Sequence, residues 1–224
     1  MSELDDPVGA SLRGAHAGLA RRTGRVATYP ADVATFCAVP ADPGPDDWAD
    51  LAALVGPGGL ADLFTAPGTP PADWDPVFAM PGRQLVAPAA TGDVDPRVVE
   101  LGRDDDAAML DLATRTRPGP FFTRTARLGT FLGVRDGDAL VAMAGQRLHP
   151  GGWVEISAVC TDERARGRGL AAVLVAAQVA RTAAHGGRAF LHVVDTNAGA
   201  RALYARLGFT ERRPVVFRGF RVPG

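Results

Sequence analysis

The feature that most constrains this chain is the stretch Val159-Cys160-Thr161-Asp162-Glu163-Arg164-Ala165-Arg166-Gly167-Arg168-Gly169-Leu170-Ala171. A strand-like run, Trp153 to Thr161, leads into it, and an apolar helical pattern follows it. A Gly-rich loop therefore sits where a strand hands over to a helix. Backbone N–H groups at a helix N-terminus, next to the positive end of the helix dipole, make a place that holds phosphate. Gly167 and Gly169 let a ligand approach the backbone, and the arginines add charge. A nucleoside-triphosphate loop needs Lys and then Ser or Thr after its last glycine. Leu170 and Ala171 follow Gly169 here, so that reading fails. A dinucleotide fingerprint finds its G-x-G in Gly167-Arg168-Gly169 but has Ala172 at the third glycine position, a weak fit. The third pattern, Arg-x-x-Gly-x-Gly/Ala, is filled by Arg166, Gly169 and Ala171.

A second motif lies downstream. Phe190 to Val194 reads as a buried strand, and a helix follows from about Ala198 to Leu207. Ala200, Leu203, Tyr204 and Leu207 fall at i, i+3, i+4 and i+7, one face of that helix, and Gly208 ends it. The string Asn197-x-x-Ala200-x-x-Leu203-Tyr204-x-x-Leu207-Gly208-Phe209 and the Arg166–Ala171 loop together resemble the two signatures of the GCN5-related N-acetyltransferase (GNAT) superfamily, in the right order and at compatible spacing. The resemblance covers roughly Leu101 to Val222. Through Glu155-Ile156-Ser157-Ala158-Val159-Cys160-Thr161 it is most similar to the FR47-like subgroup. Many relatives carry His-Pro where this chain has Asp162-Glu163.

The resemblance implies an α/β class of fold, an α+β mixed sheet flanked by helices, that binds acyl-CoA. It implies acetyl-CoA as acyl donor, a small-molecule or peptide primary amine as acceptor, and direct transfer between them. The other function class is a non-catalytic acyl-CoA-binding module. The resemblance assigns the pyrophosphate to the N–H groups of Gly167, Arg168, Gly169, Leu170, Ala171 and Ala172, with Arg166 beside them, and the pantetheine arm to the backbone of Val159, Cys160 and Thr161, whose neighbouring strand splays away. Asn197 is a candidate for the pantetheine end of the cofactor and, by its type and place, for the N-cap of the next helix. Tyr204 is the candidate general acid, although a Tyr on the apolar face of a helix is usually core.

A base must take the amine proton, because a lysine-like amine of pKa ~10.4 is mostly protonated at neutral pH. Glu155 is the first candidate. Period-two alternation puts it on one face with Ser157 and Val159, and burial would raise its pKa toward useful values. His192, five residues before Asn197, is its rival. His16, His149 and His185 read as structural. Alternation points Cys160 away from Val159 and Thr161, which argues against a nucleophilic thiol. The loop from about Thr116 to Thr125, with Arg115, Arg117, Phe121, Phe122 and Arg124 in or beside it, is where the acceptor is expected.

At 224 residues with 46% apolar content, the chain makes one large packed domain or two small ones. Its net charge of −1 gives no pull toward nucleic acid. No apolar run is long enough to span a bilayer, and no His/Cys/Asp spacing suggests a metal. Two cysteines far apart, Cys37 and Cys160, suit a reducing, cytoplasmic setting. Monomer and homodimer both remain open.

Proline and glycine are dense before a division near Ala87 to Pro96, so residues 1–95 are expected to form an N-terminal region packed on residues 96–224. In relatives of the subgroup this region looks like a diverged half of the same kind. In it, Asp46 to Val55 reads as a helix capped by Asp46 or Asp47, and Arg25–Tyr29 and Gln84–Ala87 read as strands. Beyond it, strands are expected at Val98–Leu101, Phe131–Arg135, Ala139–Leu148, Trp153–Thr161 and Val215–Arg221. Helices are expected at Ala107–Arg115 and Leu170–His185, with a helix or turn at Thr123–Leu128.

Overall fold

Asp136-Gly137 turns a hairpin, and Gly137 takes a φ of +58°, which an L side chain resists. That hairpin lies toward one edge of an eight-stranded mixed sheet. The computed structural model describes residues 2–89 and 95–224; residues 90–94, in the middle of the expected division, lie outside the described residues. In chain order the first elements are α1 (Pro7–Arg13), β1 (Arg21–Thr23), β2 (Val26–Thr28), β3 (Cys37–Ala38), α2 (Pro45–Val55), β4 (Leu60–Asp62) and β5 (Asp75–Val86). There follow β6 (Val99–Leu101), α3 (Asp106–Thr116), β7 (Phe131–Asp136), β8 (Ala139–Gln146) and β9 (Trp153–Thr161). The chain ends with α4 (Leu170–Ala184), β10 (Arg188–Val194), α5 (Ala198–Arg206) and β11 (Thr210–Arg221).

Strands β1, β2 and β3 form a small sheet of their own, and the large sheet runs β4-β11-β5-β10-β9-β8-β7-β6. Every pair in the large sheet is antiparallel except β9 with β10. That parallel pairing covers only Trp153 with Arg188, Val154 with Ala189 and Glu155 with Phe190. Past this point β9 stays with β8, and β10 stays with β5 through Val194. The sheet therefore opens between two neighbouring strands.

Helix α4 covers one face: Leu170, Leu174 and Ala177 pack on Leu132 and Val134 of β7 and Ala142 of β8. On that face, further along, Tyr204 of α5 packs with Val175, Leu191 and Val193. The opposite face is shared by α3, through Met109 and Leu112, and by Leu4, Leu12, Tyr29, Phe36 and Phe64 of the N-terminal region.

The region before residue 96 does more than pack on the sheet, because β4 and β5 are two of its strands. The expected strand at Gln84–Ala87 is the end of a twelve-residue strand. The N-cap of α2 is Gly44, not Asp46 or Asp47. Pro45 opens the helix, and Asp47 reaches back to accept a hydrogen bond from the Gly44 N–H at 2.8 Å. Thr125–Leu128 is a 3-10 turn.

Gly82, in β5, lies so close to its neighbours that a Cβ there would meet the Phe217 ring at 2.5 Å and the Val193 carbonyl at 2.6 Å. Gly82→Val should therefore cost about 1–3 kcal/mol in urea unfolding. Val77→Thr, at an exposed position of the same strand, should stay within about 0.5 kcal/mol of the parent. Equal stability of all three proteins would mean that β5 is not inserted between β10 and β11.

Candidate active site

The opening between β9 and β10 is shaped by a bulge. Cys160 pairs with Met143 and Ser157 with Gly145, so Ala158 and Val159 together face the single residue Ala144. Ala158 has a φ of +51°, a conformation that costs a non-glycine residue about 1 kcal/mol and is kept where function needs it. The bulge also breaks the alternation expected along β9. Ile156 and Val159 both contact the α4 face, whereas Ala158 and Cys160 pack on the α3 face. Glu155, bonded to Arg147, is therefore on the other side from Val159, and the face expected to carry both does not exist.

At the end of β9 the chain makes a 3-10 turn at Glu163–Ala165, and then Gly167 (φ +78°) and Gly169 (φ +72°) swing it into α4. Val173 N–H to Gly169 O, at 3.2 Å, starts the α4 ladder. The N–H groups of Leu170, Ala171 and Ala172 are left without an intrahelical acceptor. Arg166, Gly167, Arg168 and Gly169 are exposed, and Arg168 pairs with Asp136 at 2.9 Å.

Beside this loop is a cavity of about 290 Å³, lined by Val159, Cys160, Thr161, Arg166, Ala171, Asn197 and Tyr204 among others. The strand edge, the helix N-terminus and α5 thus bring most of the expected ligand-binding residues to one cleft. Asn197 caps α5, its Oδ1 accepting from the Ala200 N–H at 3.0 Å, and still faces the cleft. Tyr204 is 6% exposed, leans on Phe209 with ring centroids 5.6 Å apart, and its acidity is pushed down by burial, the pKa rising to about 12. Burial likewise pushes the Cys160 thiol up to about 11, against a smaller lowering by a Thr116 hydrogen bond, so it is a neutral thiol.

Glu155 and His192 are elsewhere. Both side chains are fully buried, and neither lines the cleft. Arg147 grips the Glu155 carboxylate with two hydrogen bonds, 2.8 and 2.6 Å, and His192 Nδ1 meets the same carboxylate at 2.6 Å. On its other side His192 Nε2 lies 3.0 Å from Gln84 Nε2, which assigns Nε2 as acceptor and Nδ1–H as donor to Glu155. The Arg147 guanidinium stacks over Phe36 at 4.8 Å and Phe64 at 5.7 Å. Burial alone would raise the Glu155 pKa, as expected from the sequence, but the Arg147 charge and its hydrogen bonds, helped by His192, overcome it and hold it at about 2. Burial keeps His192 below its ordinary value. Both Glu155 oxygens and both His192 nitrogens are engaged inside this cluster, so the structure does not bring either of the expected bases to the cleft. The sequence missed Arg147 because its partner, Glu155, lies on the next strand.

The expected acceptor loop is divided. Thr116, Arg117 and Pro118 line the cleft. Phe121 packs edge-on against Phe131 at 5.7 Å, Arg124 pairs with Asp32 at 3.2 Å, and Arg115 pairs with Asp111 and Asp162. No helix among the described residues is long and apolar enough to cross a membrane.

Removing the charge from Glu155 strands Arg147 in the core. Glu155→Gln should cost about 3–5 kcal/mol in denaturant unfolding at pH 7. The Glu155 pKa falls from 4.5 unfolded to about 2 folded, so its contribution is complete above pH 4.5 and is lost as pH falls through about 2. The gap between the two proteins should accordingly shrink across that window; a gap independent of pH would remove the ion cluster from the argument.

The FR47-like protein family model matches residues 131–217. A crystal structure of a GNAT-family protein from Novosphingobium aromaticivorans is 35% identical over 100% of both chains, with a TM-score of 0.90. A GCN5-related N-acetyltransferase from Kribbella flavida shares the fold at 17% identity and a TM-score of 0.62, covering 97% of this chain and 96% of that one. A GNAT-family acetyltransferase from Colwellia psychrerythraea does so at 16% identity and 0.53, over 66% of this chain and 58% of the other. No curated protein sequence matches the chain.

Proposed function

The chain belongs to the GCN5-related N-acetyltransferase family and is an acyltransferase, and from that premise we propose that it moves an acetyl group from acetyl-CoA directly to a primary amine. The observation that carries this reading is the convergence of the bulged edge of β9, the free N–H groups of α4 and the Tyr204 hydroxyl on one cleft. Acetyl-CoA supplies the activated thioester. The N–H groups of Leu170, Ala171 and Ala172, with Arg166, suit its pyrophosphate. The bulge at Ala158 frees main-chain polar groups of β9 toward the thioester arm and toward the oxygen that gains charge during transfer.

Tyr204 keeps its proton at neutral pH and is suited to hydrogen-bond, and then protonate, the departing sulfur. The residues lining the cleft include no carboxylate and no imidazole. The acceptor therefore enters as the free amine, and its own proton replaces the one Tyr204 gives up. This favours weakly basic amines. About one in seven α-amino groups of pKa ~7.8 is free at pH 7, but fewer than one in a thousand side-chain amines of pKa ~10.4. We read residues 1–95 as the region that completes the sheet and 96–224 as the transferase portion. Cys37 and Cys160, both free thiols, suit a cytoplasmic enzyme.

The first experiment is calorimetric titration with acetyl-CoA, with NADH and ATP as controls. Micromolar binding of acetyl-CoA alone is expected, and silence from folded protein would overturn the donor assignment. Ala171→Asp puts a carboxylate at the start of α4, where it suits the helix dipole and opposes pyrophosphate. It should keep the melting temperature and lose acetyl-CoA binding by at least about tenfold, near 1.4 kcal/mol.

Tyr204→Phe should lower kcat by about 10²-fold with the acetyl-CoA KM nearly unchanged. Its kcat/KM for the acceptor, like that of the parent, should rise with pH up to the acceptor's own pKa. Parental turnover in Tyr204→Phe would remove the tyrosine from the chemistry, and a plateau set near pH 6–7 for every amine would reveal an enzyme base.

A further inference from the structure

We propose that Asp62 is a pH-sensitive latch, a neutral carboxyl in the folded protein whose ionisation loosens the N-terminal region from the Arg147–Glu155–His192 cluster. Asp62 ends β4, pairs with Gly219 of β11 on one side and bridges to Phe36 on the other. Phe64 follows two residues later. Phe36 and Phe64 are the rings over which the Arg147 guanidinium lies, so Asp62 sits where the N-terminal region meets the cluster.

Asp62 is 4% exposed, and its Oδ1 has no hydrogen-bond partner among the described residues. The Phe64 backbone N–H is turned toward the carboxyl. The cation that faces it is Arg147, which gives both Nε and Nη2 to Glu155. Cys37 faces it from β3 as a neutral thiol, pushed up to about 12 by burial. On β11 the Arg218 guanidinium, next to Gly219, donates instead to the Ala66 carbonyl at 2.6 Å. Beyond Arg147 stand Glu155 and Tyr29, and His192 lies on Glu155. A carboxylate so far from water, with no cation in contact, is costly, and such a group keeps its proton instead.

Ionisation sets a second carboxylate against a single guanidinium. Either Arg147 loosens its grip on Glu155, or β4 moves away and lets water reach Asp62. The second costs less, because β4 is a three-residue strand at the edge of the sheet, whereas the Glu155 pair is deep in the core. Burial pushes the Asp62 carboxyl from 3.8 up to about 7, against a smaller lowering by the Arg147 charge and the Phe64 N–H. The unfolded chain therefore releases this proton near pH 3.8 and the folded protein near pH 7. The stability that the neutral carboxyl contributes is complete below pH 3.8, declines as pH rises, and is lost by about pH 7. This is the opposite slope to that of Glu155.

The test compares the intact protein with Asp62→Asn, which keeps the shape of the side chain and cannot ionise, from about pH 4 to about pH 9. The melting temperature of Asp62→Asn relative to the parent should rise by about 5 °C between pH 4 and pH 7 and stay level above. Infrared difference spectra of the parent should show the C=O stretch of a protonated carboxyl that disappears as pH rises through about 7, and Asp62→Asn should lack it. Amide hydrogen exchange in residues 36–64 should be faster in the parent than in Asp62→Asn, by a margin that grows with pH up to about 7. Three results would overturn the proposal: a relative melting temperature that is flat or falls with pH, a parent without the carboxyl band, or equal exchange of this segment in the two proteins at every pH.

Discussion

The large sheet depends on how two parallel strands are allowed to part. β9 and β10 pair for three residues and then diverge, and the last pair is Glu155 with Phe190. At that vertex the backbone ladder is replaced by side chains: Glu155 reaches His192, two residues further along β10, and Arg147 closes on Glu155 from the other side. Buried ion clusters contribute little net stability against apolar packing, yet removing one member is costly. Such a cluster specifies where the strands separate. A hydrophobic contact at the same place would tolerate a slip of register; a bidentate guanidinium–carboxylate pair with an imidazole on its flank does not.

A strand that leaves its partner needs another. β10 past Phe190 is paired by β5, which comes from the other end of the sequence, and β11 then pairs along β5. The same N-terminal region supplies Phe36 and Phe64, the neighbouring rings over which the Arg147 guanidinium lies. Gln84 of β5 completes the His192 hydrogen bonds and donates to the Leu4 carbonyl as well. The opening is thus held by residues on both sides of the division at residue 96, and the N-terminal region is part of the machinery that keeps the sheet split.

The local elements around the cleft were legible in the sequence because they are written in consecutive residues. The glycines of the loop, the apolar stripe of α4 and the Asn197 cap are short-range signals, and α4 and α5 fall within a residue or two of their expected ends. β5 was not legible over most of its length. Pro76, Pro81 and Gly82 punctuate it, and its first seven residues are largely exposed, so neither composition nor alternation marks a strand. The bulge at Ala158 was hidden for a different reason: one added residue reverses the side-chain alternation, and nothing in Ser157-Ala158-Val159 announces it. The Arg147–Glu155–His192 cluster was beyond reach because it needs three strand positions to be in register at once. Glu155 was read for what burial would do to it, but its partner decides the sign of its pKa shift.

Glu155 and Tyr204 make that last point general for this site. Both are buried, and both lose water that would stabilise their charged forms. The outcome is opposite because Glu155 has a cation in contact and Tyr204 has no such partner among the described residues. One is held at about 2 and the other at about 12, so neither changes its protonation between those limits in the free protein. Cys160, at about 11, is likewise fixed as a neutral thiol at neutral pH. What the cleft offers near neutrality is therefore a set of hydrogen-bond donors in fixed positions: main-chain N–H groups at α4 and one phenol. Preorganised donors of that kind act by stabilising charge where it develops, and their effect does not depend on titration.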